Sequence, residues 1–246
     1  MAEAPTPPEL SVVVPVMNEA DNIAPLVGEI AAALHGRIAF EIVYVDDGST
    51  DGSFERLRAL VPEFPMLRAQ RHAVRRGQSA AIRTGVKAAR AALIATLDGD
   101  GQNNPADIPA LIETYRAHSG TQPLMLAGHR TQRRDTWIKR ISSRLANRFR
   151  ARKLGDDTPD TGCGLKLFPR QTFLEFPAFD HMHRFLPALM LRAGGIVQSV
   201  PVSHRARERG ASKYGTWDRL VVGIADVRGV AWLMRRRLAA DVAEEI

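Results

Sequence analysis

Residues Leu93–Pro105 read LIATLDGDGQNNP, an apolar run that stops on Asp98 and Asp100 among Gly99, Gly101, Asn103, Asn104 and Pro105. The run from Ala92 to Leu97 has the length and composition of a buried strand, and the residues after it break the chain. Two carboxylates one residue apart at a strand end can both reach one hard cation. Gly on either side of Asp100 lets a bulky anion approach the backbone. Mg2+ or Mn2+ held by one or two carboxylates normally completes its shell with substrate phosphate oxygens. The pair therefore predicts a metal–diphosphate site, although adjacent acids in a turn are also common as solvated loop residues.

The flanking sequence repeats this pattern. Upstream, SVVVPVMNE (11–19) begins with a continuous β-branched run, the sign of a strand covered on both faces of a parallel sheet. Asn22–Leu34 carries Ile23, Leu26, Val27, Ile30 and Leu34 at helical spacing. EIVYVDDGSTDGS (41–53) is a second strand ending in acids, followed by a helix over Ser53–Leu60 with Asp51 or Ser53 as its N-cap. MLRAQRH (66–72) reads as a strand, Gln78–Arg90 as a helix, Asp107–Ala117 as a helix and PLMLAGHR (123–130) as a strand. Strands alternating with helices predict an α/β fold with an open, mostly parallel sheet. Ligands of such sheets bind beyond the strand C-termini, where the acid-rich segments fall.

The bulk numbers bound the remaining possibilities. At 246 residues and 45% hydrophobic content the chain can build a full core, as one large α/β domain or two small ones. A single cysteine, Cys163, excludes an internal disulfide and a cysteine-only metal site, and fits a reducing cytoplasm. The first nine residues read as a disordered tail without the features of a signal peptide. No apolar stretch approaches the roughly 20 residues that cross a bilayer. The formal charge of +7 is concentrated in Arg130–Lys153 and Arg205–Arg237, which points to an anionic partner. Two of these basic stretches are amphipathic: Trp137–Phe149, and Trp217–Leu238 with Trp217, Leu220, Val221, Ile224, Val227, Trp232 and Leu233. Both have the profile of helices lying at an interface, or of ordinary helices packed on the core.

VVVPVMNE, VDDGSTDGS and LDGDGQNNP, in that order, resemble the family 2 glycosyltransferases with the GT-A fold. DTGCGLKLFPR (160–170) and RERGASKYG (207–215) look like its polyprenyl-phosphate branch, the mannose synthase-like enzymes. The resemblance implies one GT-A domain over 10–216 and a C-terminal amphipathic extension over 217–246. It places the nucleotide at Pro15, Asn18, Glu19, Asp46, Asp47, Gln78 and Asp98, with Gly77 beside Gln78. It assigns Mg2+ or Mn2+ to Asp98, Asp100 and Gln102, and makes Asp100, Arg130 and Lys213 catalytic. Arg130, Arg140, Arg184, Arg209, Ser212 and Lys213 would hold the acceptor phosphate, with Arg134 as a weaker candidate. The implied donor is a GDP- or UDP-hexose, and the implied acceptor a polyprenyl phosphate reached by a peripheral protein on the cytoplasmic membrane face. No nucleic acid is expected, because acids at the strand ends would repel it.

A phosphate acceptor needs no general base, since a monoester is mostly ionised near pH 7. A rival acceptor, a hydroxyl on a polysaccharide or glycolipid, would need one, and Asp180 is the late candidate. A binding module that uses the basic surface without catalysis is the non-enzyme alternative. One departure from the family stands out: FDHMHRFLP (179–187) puts His181, His183 and Arg184 where an acid is usual. Basic residues facing the sugar would accommodate an acidic hexose. The two histidines lack the third ligand of a metal site.

Overall fold

The computed structural model describes residues 7–130, 150–205 and 216–236. Strand β1 (Leu10–Val16) lies at the centre of a seven-stranded sheet, and all seven of its residues are buried. Val12, Val14 and Val16 enter the core cluster on one face, and Val13 enters the cluster on the other. The uninterrupted β-branched run thus has its cause: helices cover both faces, and each such side chain contributes about 1.5–3 kcal/mol by leaving water.

The sheet also contains β2 (Phe40–Asp46), β3 (Leu67–Arg71), β4 (Leu93–Thr96), β5 (Leu124–Arg130), β6 (Lys166–Pro169) and β7 (Ile196–Val202), in the order β3-β2-β1-β4-β6-β5-β7. Pairing is parallel throughout except at β6, which runs antiparallel to β4 and β5. Helices α1 (Ala20–Leu34), α2 (Ser53–Leu60), α3 (Gln78–Ala88) and α4 (Ile108–Arg116) fill the crossovers, and α5 (Arg170–Leu174), α6 (Leu186–Arg192) and α7 (Thr216–Arg235) follow β5. The expected open, mostly parallel α/β sheet is the observed one.

The differences from the sequence reading are local. Helix α1 starts two residues before Asn22, α3 ends at Ala88, and α4 begins at Ile108 after a 3-10 turn over Pro105–Asp107. Gly52, not Asp51 or Ser53, is the N-cap of α2, in left-handed conformation, though Asp51 Oδ1 still accepts the Ser53 N–H at 3.0 Å. Strands β6 and β7 were not anticipated. KLFP is too short to show a period, and β7 is a half-exposed edge strand that tolerates Pro201.

The segment Trp137–Phe149 lies outside the described residues. In α7, Val230 and Ala231 pack against Leu154, Phe185 and Ala188, whereas Trp232 is 54% exposed. Grouping Trp232 with the apolar face therefore fails: it stands about 200° around the helix from Val230, at 100° per residue. The Arg236 guanidinium covers its ring, 5.6 Å from the centroid.

Candidate functional site

The parallel strands β1, β2 and β4 bring their C-terminal acids to one edge of the sheet, but those acids divide into two kinds. Asp46 is fully buried; its Oδ1 accepts the Ser49 N–H at 3.1 Å, and its Oδ2 lies 3.3 Å from Arg71 Nε. Asp47 accepts the Arg76 and Gly77 N–H groups, each at 2.8 Å, and lies 2.8 Å from His72 Nδ1, while His72 Nε2 lies 2.9 Å from the Thr84 hydroxyl. Both carboxylates thus hold loops, although Asp46 Oδ2 makes no hydrogen bond among the described residues.

The 18–20 turn is fastened to the 49–53 loop in the same way. Thr50 N–H donates to Asn18 Oδ1 at 2.8 Å, Asn18 N–H to Ser49 Oγ at 2.8 Å and Glu19 N–H to Ser53 Oγ at 3.1 Å. Asp51 accepts the Ala20 N–H at 3.1 Å. Burial opposes its ionisation, but the bonds from Ser53 and Ala20 outweigh that and hold its carboxyl below the usual range. Pro15 is buried in β1, so its ring is part of the sheet's packing.

The loop that Asp47 holds delivers the next contact. Gly77, at φ +90°, turns the chain into α3, and Gln78 at its first turn donates Nε2–H to Asp98 Oδ1 at 2.8 Å. Asp98 is the second kind of acid. It opens on a cavity of about 290 Å³, which Gln78, Lys166, His183 and Arg184 also line. Its carboxyl is pushed up to about 6, first by burial and then by the charge of Asp100, against the pull of Lys166, Arg130 and the Gln78 bond. Asp100 sits half-buried beside it and accepts the Gln102 N–H at 3.1 Å, while the Gln102 carbonyl accepts the Arg205 N–H at 3.0 Å.

Two crowded anionic oxygens groups of this kind suit a divalent cation: the donors are hard, and a bound charge would relieve the repulsion that raises Asp98. Among the described residues no group of three His, Cys, Asp or Glu side chains could hold a metal, so such an ion would need ligands from the substrate as well.

The segment 160–166 closes the cavity from the other side. Asp160 accepts Arg130 Nε–H at 2.6 Å and Nη2–H at 2.8 Å, a bidentate pair with both side chains largely buried. This bonding to Asp160 raises the Arg130 guanidinium above its ordinary value. Arg150 braces the approach to Asp160, 3.1 Å from Asp156 and donating to the Thr158 carbonyl at 2.7 Å. Gly164 lies directly against Asp98: a Cβ there would stand 2.3 Å from the carboxylate carbon. Lys166, buried in β6, donates to the carbonyls of Thr161 and Cys163; burial lowers its ammonium below the usual value. Cys163 is buried, and burial pushes its thiol up.

His181, at φ +62°, turns the chain into the 3-10 turn Met182–Arg184. His183 Nδ1 lies 2.7 Å from Ser79 Oγ, and the His183 N–H donates to that oxygen at 3.1 Å, which ties this turn to α3. Burial, then Arg184, Lys166 and His181, depress its imidazole to about 3, so it is neutral at physiological pH. His181 Nδ1 lies 3.1 Å from Asp226 on α7, and Asp180 is exposed, its Oδ1 3.6 Å from where a Cβ on Gly77 would stand. Arg134, Arg140, Arg209, Ser212 and Lys213 lie outside the described residues.

The structure therefore brings together Gln78, Asp98, Asp100, Arg130 and Arg184 from the predicted set. It adds Asp160, Gly164 and Lys166, which the sequence reading quoted in DTGCGLKLFPR without assigning a role. An acid and a lysine inside one glycine-rich motif were the available signal.

Known proteins resemble this chain in sequence and in fold. The model of the family described as "Glycosyl transferase family 2" matches residues 11–176. Dodecaprenyl-phosphate galacturonate synthase of Rhizobium johnstonii is 37% identical over 235 residues, covering 92% of this chain and 68% of that protein. Undecaprenyl-phosphate 4-deoxy-4-formamido-L-arabinose transferase of Edwardsiella ictaluri is 37% identical over 212 residues, covering 84% of this chain and 63% of that protein. The chain thus spans about two thirds of the length of these relatives. Among solved structures, glucosyl-3-phosphoglycerate synthase from Mycobacterium tuberculosis, in complex with Mn2+, UDP and glucosyl-3-phosphoglycerate, superposes with a TM-score of 0.65. It is 18% identical, with 95% of this chain and 81% of that one covered, a likeness of fold.

Proposed function

This chain belongs to glycosyl transferase family 2, and from that premise we propose that it moves a hexose from a nucleotide-diphospho-sugar to a polyprenyl phosphate, with inversion. The observation that carries the reading is the pair Asp98 and Asp100 just beyond the strand edge, with Asp98 opening on a cavity that Lys166 and Arg184 also line. The acceptor follows from the two relatives, whose names share a polyprenyl phosphate and differ in the sugar.

Asp98 and Asp100 would hold Mg2+ or Mn2+, with Gln102 beside them; when bound, the ion neutralises the charge of the departing diphosphate. Gln78 keeps the Asp98 carboxylate turned toward the cavity. The nucleotide lies along the edge made by Asn18, Glu19 and the 72–77 loop, which Asp46 and Asp47 hold in shape. Arg130, oriented by Asp160, sets a positive charge beside Asp98 and so offsets the repulsion between two anions brought together there. The acceptor phosphate attacks the anomeric carbon and the diphosphate leaves from the opposite side. No proton has to move, which suits a cavity where His183 is too weak a base and Asp98 would be occupied by the cation.

The unit 10–216 acts as one transferase domain with 217–246 as its extension. The extension reaches the cytoplasmic membrane face through exposed Trp232 and the cations Arg228, Arg235 and Arg236. Among the described residues no helix is long and apolar enough to cross a membrane.

The test is incubation with Mn2+ or Mg2+, a short-chain polyprenyl phosphate and a panel of nucleotide sugars, with mass spectrometry of the lipid fraction. A polyprenyl-phospho-hexose that disappears in Asp100→Ala is expected. Nucleotide-sugar binding with product only on hydroxyl acceptors would refute the phosphate acceptor and turn attention to Asp180.

A further inference from the structure

The cavity behind Asp98 carries more positive charge than the transfer step uses. Arg184 lines it half-buried, and its guanidinium makes no hydrogen bond or ion pair with any described residue. Its placement is rigid: Met182 and Phe185 on either side are buried in the core, and His183 between them is bonded to Ser79. Across the cavity Lys166 spends two of its three N–H groups on the Thr161 and Cys163 carbonyls and keeps one over. Arg130 and Asp160 cancel as a pair. Asp98 is the one carboxylate on the described lining, and it would be a ligand of the divalent cation. Among the described residues Arg184 thus remains without an anion, and Lys166 has only its share of Asp98 and Asp160, an arrangement that costs free energy until a ligand supplies a further anion.

The geometry points to a hexuronic acid as the donor sugar, its carboxylate paired with Arg184 and Lys166. This rests on the transferase reading of the same site. The diphosphate engages the Asp98–Asp100 side, so the sugar attached to it enters the space beyond, between Lys166 and Arg184. At about 290 Å³, with Ile82 and Leu186 on its lining, the cavity has room for one sugar ring. A planar guanidinium with its fork unoccupied matches a carboxylate bidentately, whereas a neutral hydroxymethyl group would leave the Arg184 charge unpaired.

Donor binding can be measured without any acceptor. Calorimetry with Mn2+ would compare UDP-glucuronic and UDP-galacturonic acids with UDP-glucose and UDP-galactose, on the whole chain and on Arg184→Gln, with the GDP counterparts in parallel. We expect the wild type to bind a uronate donor about 10- to 100-fold more tightly than the matching neutral sugar, the span of a charge-assisted hydrogen bond. That ratio should collapse toward one in Arg184→Gln and be partly restored in Arg184→Lys, with thermal melting as the check on folding. Equal affinity of the wild type for acidic and neutral donors would overturn the inference even if glycolipid is made from a neutral donor. So would an unchanged ratio in Arg184→Gln accompanied by weaker binding of the polyprenyl phosphate, which would give Arg184 to the acceptor. Uronate selectivity without any glycolipid would uphold it and refute the polyprenyl-phosphate acceptor instead.

Discussion

Replacing Gly164 by Ala should disable the site with little cost to the fold. The added methyl carbon would stand 2.3 Å from Asp98 Cγ and Oδ2 and 2.6 Å from Oδ1. Non-bonded carbon contacts settle near 3.5–4.0 Å, so the carboxylate or the 160–164 loop must retreat by about 1 Å. Asp98 is held by Gln78 on one oxygen and by the strand end behind it, so it cannot retreat and keep its place opposite Asp100. A misplacement of about 1 Å in a catalytic constellation costs on the order of 100-fold in rate, or about 2.7 kcal/mol. Gly162 two residues away supplies the control, since a Cβ there meets Arg130 Nη2 at 3.6 Å and Asp160 Oδ1 at 3.8 Å, ordinary contacts. Steady-state transfer, calorimetry of Mn2+-dependent nucleotide binding and thermal melting would be run on both variants. Gly164→Ala should lose about 100-fold in kcat/KM and bind Mn2+ weakly, while Gly162→Ala stays within a few-fold of wild type. A folded Gly164→Ala with wild-type binding and turnover would refute the claim that the contact between Gly164 and Asp98 positions the carboxylate.

Three further outcomes are expected. Mn2+ affinity should rise as pH increases through about 6, because the raised Asp98 carboxyl keeps a competing proton below that value, and it should level off above; calorimetry across pH 5–8 would show this. Glu41→Gln should lower Tm. Burial opposes ionisation of Glu41, yet the Arg90 N–H at 2.6 Å, the Ser11 hydroxyl at 2.7 Å and Arg68 at 2.7 Å hold its carboxyl below the ordinary value. Its contribution is therefore present above the unfolded carboxylate value and lost as pH falls through the folded one. The loss at pH 7, about 1–3 kcal/mol, should shrink on acidification, which melting at several pH values would read. Trp232→Ala combined with Arg235→Glu and Arg236→Glu should weaken binding to anionic vesicles in a sedimentation assay while Tm stays near wild type, since these side chains are exposed and each basic residue near such a surface is worth about 1 kcal/mol.

The sequence by itself determined the central sheet and the acid pair. Periodicity and β-branched runs are local signals, and the doubly covered strand β1 writes its environment directly into VVVPV. What the tertiary structure decided was which acids are free. Asp46, Asp47 and Asp98 look alike at strand ends, but the first two are consumed by Ser49, Arg71, His72, Arg76 and Gly77, contacts that reach up to 30 residues along the chain. The partners of Asp98 come from further still: Gly164 arrives on the segment just before β6, and Lys166 on β6 itself, a four-residue antiparallel strand whose place between β4 and β5 no local pattern announces. Arg184 likewise gains meaning only because the turn around it is pinned to Ser79, which is 104 residues from His183 in sequence. Charge and spacing are written along the chain; whether a charge is paired, and with what, is settled by which segments packing brings together.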